Sequence, residues 1–140
     1  MKRLLAMSLL CLSGWVSMSA QDAEAEKKEV KEANIVFEET TMDVGTFPAD
    51  DPVRKATFTF TNEGNAPLVI HQAIASCGCT VPSYPRMPVK PGEKGKIEVT
   101  YNGSGKNPGR FKKSITVRTN SKKPMARIYI TGVMEQAQKK

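Results

Sequence analysis

Two cysteines separated by a single glycine are the residues of this sequence best suited to chemistry. Cys77, Gly78 and Cys79 lie between an apolar alternating run and a proline-rich loop. If the backbone is extended there, both thiols point to the same face, because side chains two positions apart share a face. Such a pair can bind a soft metal ion, form a disulfide or fill a core, since free cysteine is among the most buried residue types. The spacing alone leaves these alternatives open.

A metal site built on the two thiols would select a soft ion such as Cu(I). His71, the single histidine of the chain, or Met87 would supply a third ligand. A closed zinc site normally takes four protein ligands, and two thiols and one imidazole are too few. The metal hypothesis is therefore a copper site at Cys77, Cys79 and His71, and no other cofactor is expected. The thiol-redox alternative makes the pair a disulfide in a small ring with a relatively oxidising potential.

No arrangement of residues in the sequence is typical of catalysis. His71 lies on the strand face opposite Leu68 and Ile70, and no nucleophile motif or acid pair accompanies it. The glycine-rich stretch 103–106 lacks the spacing of a phosphate-binding loop. We predict no catalytic residue and expect that the protein is not an enzyme.

A cluster of basic residues falls on two adjacent predicted strands and is the predicted binding surface. Its members are Arg110, Lys112, Lys113, Arg118 and Arg127, with Lys122 and Lys123 in the turn between the strands. The cluster suits an anionic partner, either an envelope protein or a glycan. Nucleic acid is not expected, because the cluster lacks the interleaved aromatic side chains on which bases stack. The alternative is a solvated face that keeps the protein soluble.

The elements that position these residues are short strands. From Ile35 onward apolar residues alternate with polar ones, as in Ala56-Thr57-Phe58-Thr59-Phe60, and no ten-residue window favours a helix. About seven strands separated by turn residues predict an all-β, immunoglobulin-like antiparallel β-sandwich over residues 35–134. The prolines from Pro82 to Pro91 predict a crossover without regular strand pairing. The predicted core is Phe37, Phe58, Phe60, Leu68, Ile70, Ile97, Val99, Ile115, Val117, Ile128 and Ile130.

The ends of the chain differ from this domain. Lys2 and Arg3 precede an apolar run that is too short for a transmembrane segment, and small residues follow, so residues 1–20 are a predicted signal peptide. Residues 21–34 are a charged linker and 135–140 a polar tail. A lipoprotein is not expected, because Cys11 follows two leucines rather than a small residue. The predicted location is the periplasm or the exterior. There the pair at 77 and 79 is free to oxidise.

Several short motifs, in order, resemble a bacterial exported family known as domain of unknown function 1573. They are Asp43-Val44-Gly45-Thr46-Phe47, Phe58-Thr59-Phe60-Thr61-Asn62-Glu63-Gly64, Pro67-Leu68-Val69-Ile70, Cys77-Gly78-Cys79-Thr80, Lys90-Pro91-Gly92-Glu93 and Tyr129-Ile130-Thr131-Gly132. The resemblance implies an immunoglobulin-like sandwich akin to ASH, hydin and major-sperm-protein domains, which act mostly as non-enzymatic binding or scaffolding modules. It supplies no activity. We therefore expect an exported binding or scaffolding module, with copper binding or thiol redox chemistry as the alternative.

Overall fold

Eight strands form two four-stranded sheets in the computed structural model, which describes residues 29–138. The strands are β1 (Ile35–Phe37), β2 (Thr41–Pro48), β3 (Val53–Asn62), β4 (Ile70–Ala75), β5 (Thr80–Ser83), β6 (Lys94–Asn102), β7 (Gly109–Thr119) and β8 (Met125–Glu135). Sheet 1 has the order β1-β3-β6-β5 and sheet 2 the order β2-β8-β7-β4. The predicted signal peptide lies outside the described residues, as do residues 21–28 and 139–140.

The predicted all-β sandwich is confirmed, with one more strand than expected and one parallel pairing. The first two strands belong to different sheets: β1 joins sheet 1 and β2 joins sheet 2. There β2 pairs with β8 in parallel, with Thr41 beside Tyr129. A bulge between Asp43 and Thr46 places Gly45 at a φ of 77°, in the left-handed region that favours glycine.

Strict alternation builds the core between the sheets. On β3 the side chains of Ala56, Phe58 and Phe60 point inward and are almost fully buried. The predicted core is buried apart from Phe37, which is half-buried and lies edge-on to Phe60 with ring centroids 5.9 Å apart. The structure adds four large side chains to the core: Phe47, Val89, Tyr101 and Met134.

The proline-rich stretch contains a strand that the sequence did not predict. Pro82 pairs with Val99 within β5, which is antiparallel to β6. A proline is tolerated here because β5 is the edge of sheet 1, so its missing N–H removes no bond from a second neighbour. Because β4 is an edge of sheet 2, the segment between β4 and β5 crosses from one sheet edge to the other.

The chain contacts the sandwich before residue 35. Ala33 is 2% exposed and forms an isolated parallel bridge with Ser121. The segment around Ala33 passes so close to Gly64 that a Cβ there would lie 2.6 Å from the Asn34 nitrogen. Part of the predicted charged linker is therefore held against the domain.

No helix among the described residues has the length and apolar character needed to cross a membrane.

Candidate functional site: the cysteine turn and the basic face

The two cysteines lie in a tight turn rather than in an extended strand. The Thr80 N–H donates to the Cys77 carbonyl at 3.2 Å, so residues 77–80 form a hydrogen-bonded β-turn. Cys77 and Cys79 are joined by a disulfide with a Cα–Cα distance of 5.3 Å. Of the alternatives left open by the sequence, the described structure therefore contains the oxidised pair.

The turn is fixed at both ends. Before it, the Ser76 N–H donates to the Ser114 carbonyl of β7 at 2.9 Å. After it, the Asn102 N–H donates to the Cys79 carbonyl at 2.7 Å, and Cys79 packs against the buried core. Of the two cysteines of the disulfide, the half-buried Cys79 packs against the core. Cys77 is not among the described residues that do so.

Thr80 is a site residue that the sequence analysis missed. It is 3% exposed, and its Oγ1 lies 3.9 Å from the Cys77 sulfur and 3.7 Å from the Cys79 sulfur. A buried hydroxyl is normally hydrogen-bonded, and in the described part of the chain its partners are these two sulfurs. A hydroxyl in this position is able to donate a hydrogen bond to a thiolate once the disulfide is opened.

The structure does not bring the predicted copper ligands together. Within residues 29–138, no three His, Cys, Asp or Glu side chains are close enough to hold a metal ion. His71 is exposed on β4, and the four steps from His71 to the end of that strand at Ala75 span about 13 Å. Met87 is 78% exposed. Copper binding at Cys77, Cys79 and His71 stays a prediction.

Four of the five predicted binding residues share the outer face of sheet 2. Arg110, Lys112 and Arg118 occupy outward positions on β7, and Arg127 lies outward on β8 opposite Thr116. All four are exposed, and in the described part of the chain no ion pair joins any of them to a carboxylate. We call these four residues the basic face.

Lys113 is not part of the basic face. It shares the inward side of β7 with Ile115 and Val117, and it is half-buried. The alternation of β7 could have placed it there, because Ile115 and Val117 were already expected to point inward. Its neighbour Lys112 places its ammonium 4.4 Å from the centre of the Tyr129 ring, so the basic face also contains an aromatic residue that the sequence analysis did not assign to it.

Residues 35–134 match the family described as "Protein of unknown function (DUF1573)". The chain belongs to the DUF1573 family. The match covers the region in which the motifs of the sequence analysis fall, and no curated protein matches the chain.

Three of the DUF1573 motif residues have clear structural roles in this fold. Asp43 accepts a hydrogen bond from the Gly45 N–H at 2.8 Å and so supports the bulge of β2. Asn62 is fully buried and makes four hydrogen bonds through its amide. Gly132 packs against Val44 and Phe111 where a Cβ would collide with both. These three residues therefore stabilise the sandwich.

The Cys-Gly-Cys-Thr motif differs from the others. Gly78 is exposed, its φ is not positive, and a Cβ added to it would meet nothing within 4 Å. The backbone and the packing therefore do not require glycine at this position. The motif is the one whose side chains carry reactive groups, and its buried hydroxyl faces the sulfurs.

Solved structures similar to this DUF1573 chain share its fold. A protein of unknown function from Porphyromonas gingivalis W83 is 19% identical with a TM-score of 0.62; the match covers 74% of this chain and 47% of that protein. The ASH/PapD-like domain 7 of human CEP192 is 12% identical with a TM-score of 0.59, covering 86% and 99%. The Pseudomonas aeruginosa CupB2 chaperone is 15% identical with a TM-score of 0.51, covering 75% and 57%. The chain thus spans about half the length of the P. gingivalis protein. At these identities the likeness shows the immunoglobulin-like fold alone.

Proposed function

We propose that this protein is an exported, non-enzymatic binding module of the bacterial cell envelope that holds an anionic partner on its basic face. The observation that carries the proposal is the placement of four exposed cations on one outer sheet face without ion-pair partners among the described residues. The partner is an acidic protein segment or an anionic glycan.

The charge distribution differs between the two outer faces of the sandwich. On sheet 1, Lys94 forms an ion pair with Glu38, and Lys96 alternates with Glu98 along β6. Carboxylates therefore offset the lysines there. On the outer face of sheet 2, the exposed Asp43 lies two strands from Lys112 in the register of Thr131, but among the described residues no carboxylate forms an ion pair with the basic face. These cations can therefore attract an anion, and such an attraction is screened by salt.

Export is supported by the signal-peptide pattern of residues 1–20 and by the disulfide, since disulfides persist mainly in oxidising compartments. A binding role is in keeping with the fold relatives, one of which is named a chaperone. Similar sandwiches occur in proteins of many functions, so this support is an analogy.

The proposal is tested by comparing two double variants of residues 21–140 that lose the same charge from opposite faces. Arg118→Gln with Arg127→Gln removes two cations of the basic face, and Lys55→Gln with Lys96→Gln removes two exposed lysines of sheet 1. Each is loaded on dextran sulfate resin and eluted with a salt gradient, with neutral dextran as the reference resin. Retention on native envelope glycan and on an acidic peptide is then measured in the same way.

We expect the basic-face variant to elute from the anionic resin at clearly lower salt than the unmodified protein, and the sheet 1 variant to elute close to it. No form should be retained on neutral dextran. Equal shifts for the two double variants would show that only net charge matters, and the proposed surface would then be wrong.

A further inference from the structure

The cysteine turn carries an inference that goes beyond binding. We propose that the Cys77–Cys79 disulfide is a thiol–disulfide exchange site, in which an incoming thiolate attacks Cys77 and the buried Thr80 hydroxyl stabilises the departing Cys79 thiolate. The co-reactant is a thiol, either a small molecule or a reduced cysteine pair of another exported protein. The juxtaposition of a buried hydroxyl with both sulfurs carries this assignment.

The two sulfurs are not equivalent, and their difference sets the direction of attack. Cys79 packs against the core and is tied to β6 through its carbonyl, which accepts from Asn102. Cys77 lies at the start of the turn, next to the edge strand β4. An incoming group therefore reaches the Cys77 sulfur from the edge of the sandwich, while the Cys79 sulfur stays in its place beside Thr80.

Thr80 is a positioning residue for the leaving group. The rate of exchange rises as the pKa of the leaving thiol falls, and a hydrogen bond to a thiolate lowers that pKa. The Thr80 Oγ1 lies within hydrogen-bonding distance of both sulfurs, 3.7 Å from Cys79 and 3.9 Å from Cys77, and of the two cysteines it is Cys79 that packs against the core among the described residues. Because Thr80 is buried within β5, its hydroxyl is already in place when the disulfide opens.

The exchange balances in two steps. In the first, the thiolate of the co-reactant bonds to the Cys77 sulfur, the bond between the two cysteines breaks, and its electron pair leaves on Cys79. In the second, another thiolate of the co-reactant attacks the co-reactant sulfur of the mixed disulfide and releases Cys77 as a thiolate, and both thiolates then take up protons according to their pKa. The co-reactant is oxidised to a disulfide by two electrons, and the protein pair is reduced by the same two.

The bond between the Thr80 N–H and the Cys77 carbonyl does not involve sulfur. It is expected to persist after reduction and to keep the two thiols close, so that the pair can be oxidised again. Reversibility distinguishes an exchange site from a disulfide that only braces the fold.

The test uses residues 21–140 as the unmodified protein, Thr80→Val and Thr80→Ser. The valine removes the hydroxyl at similar size, and the serine keeps the hydroxyl while removing the methyl group. Two quantities are measured: the rate of reduction of the native disulfide by dithiothreitol, followed by thiol labelling and intact mass, and the pH dependence of thiolate absorbance at 240 nm in the reduced protein. Far-ultraviolet circular dichroism establishes that each variant is folded.

We expect Thr80→Val to slow reduction by roughly five- to tenfold, because the leaving sulfur carries only part of its negative charge in the transition state and so feels only part of the lost hydrogen bond, and to raise the lower of the two thiol pKa values. Thr80→Ser should remain within about twofold of the unmodified protein. Equal rates and equal thiolate titrations in Thr80→Val and the unmodified protein would overturn the role of Thr80.

A second measurement needs no variant and therefore does not depend on the folding of one. The unmodified protein is mixed with glutathione, quenched with an alkylating reagent and analysed by fragmentation on either side of Gly78. We expect glutathione on Cys77 and the alkyl group on Cys79. The reverse pattern would overturn the direction of attack, and a disulfide that reacts only after denaturation would overturn the exchange site altogether. Neither result bears on the basic face, which is tested separately by retention on the anionic resin.

Discussion

We expect Asn62→Ala to lower the free energy of unfolding by about 2–4 kcal/mol. Asn62 is fully buried, and its Nδ2 donates to the carbonyls of Ala66 and Val89 at 2.8 and 2.9 Å. Its Oδ1 accepts from the N–H groups of Asn34 and Gly64 at 3.2 and 3.0 Å. A hydrogen bond contributes about 0.5–1.5 kcal/mol net, so four of them set this range once water is allowed to reach the half-buried partners.

The size of this loss is large against the roughly 5–15 kcal/mol by which a domain is usually stable. Asn62 lies at the end of β3 and connects three segments that are remote in sequence: residue 34, the turn at 64–66 and residue 89. The loss should therefore be accompanied by faster amide hydrogen exchange in residues 32–34, which the amide helps to hold.

The assay is urea unfolding of residues 21–140 followed by circular dichroism, since the single tryptophan, Trp15, lies in the predicted signal peptide. Asn65→Ala is the matched control: it is the same change three residues after Asn62, at an exposed amide whose three hydrogen bonds, to residues 29–32, are open to water. We expect the control to cost less than about 1 kcal/mol. Equal losses in the two variants would refute the claim that the buried amide of Asn62 joins these segments.

Three further predictions concern backbone approach, pH and the disulfide. Gly64→Ala should displace the segment around Glu32 and lower the free energy of unfolding by about 1–3 kcal/mol, because the added Cβ would overlap that backbone. The loss should be seen as a lower urea midpoint and faster hydrogen exchange in this segment. Unchanged exchange there would contradict the close approach. Burial raises the pKa of Tyr101, so the stability that the neutral side chain contributes is present below the ordinary tyrosine pKa and is lost as pH rises through the raised value. Tyr101→Phe should therefore unfold at higher pH than the unmodified protein in an alkaline titration. An identical alkaline transition in the two proteins would count against this. Replacing Cys77 and Cys79 by serine should cost only about 1.6 kcal/mol by the loop-entropy relation, because the closed loop has three residues; a loss above about 4 kcal/mol in urea unfolding would instead mark the disulfide as a main structural brace.

The inward faces of the strands could be predicted from the sequence because strand alternation is a local property. Phe58, Phe60, Ile115 and Val117 are buried as their alternation requires. The pairing of β2 with β8 could not be predicted in this way. The pairing depends on which sheet the chain joins after residue 40, and that is determined by contacts between residues that are distant in sequence.

The candidate site was predictable in part for the same reason. The cysteine pair was evident from residue type, and the outward positions of the basic face follow from the periodicity of β7 and β8. Thr80 stands in the Cys-Gly-Cys-Thr motif, but its role could not be predicted, because its hydroxyl meets the sulfurs only where the chain turns between the edges of two sheets. A polar residue such as Thr80 is normally expected to be exposed, but here it is buried beside the turn.

The two proposed surfaces lie next to each other, and Lys113 lies between them. β4 is the neighbour of β7 in sheet 2, and the last bond between them joins Ser76 to Ser114. Beyond this bond the next residues of the two antiparallel segments are Cys77 and Lys113, and Lys113 points to the inner side of β7. A partner bound on the outer face of β7 would therefore lie beside β4, the strand that leads into Cys77. Binding by charge and exchange at sulfur are thus compatible in one complex, and each can fail without the other.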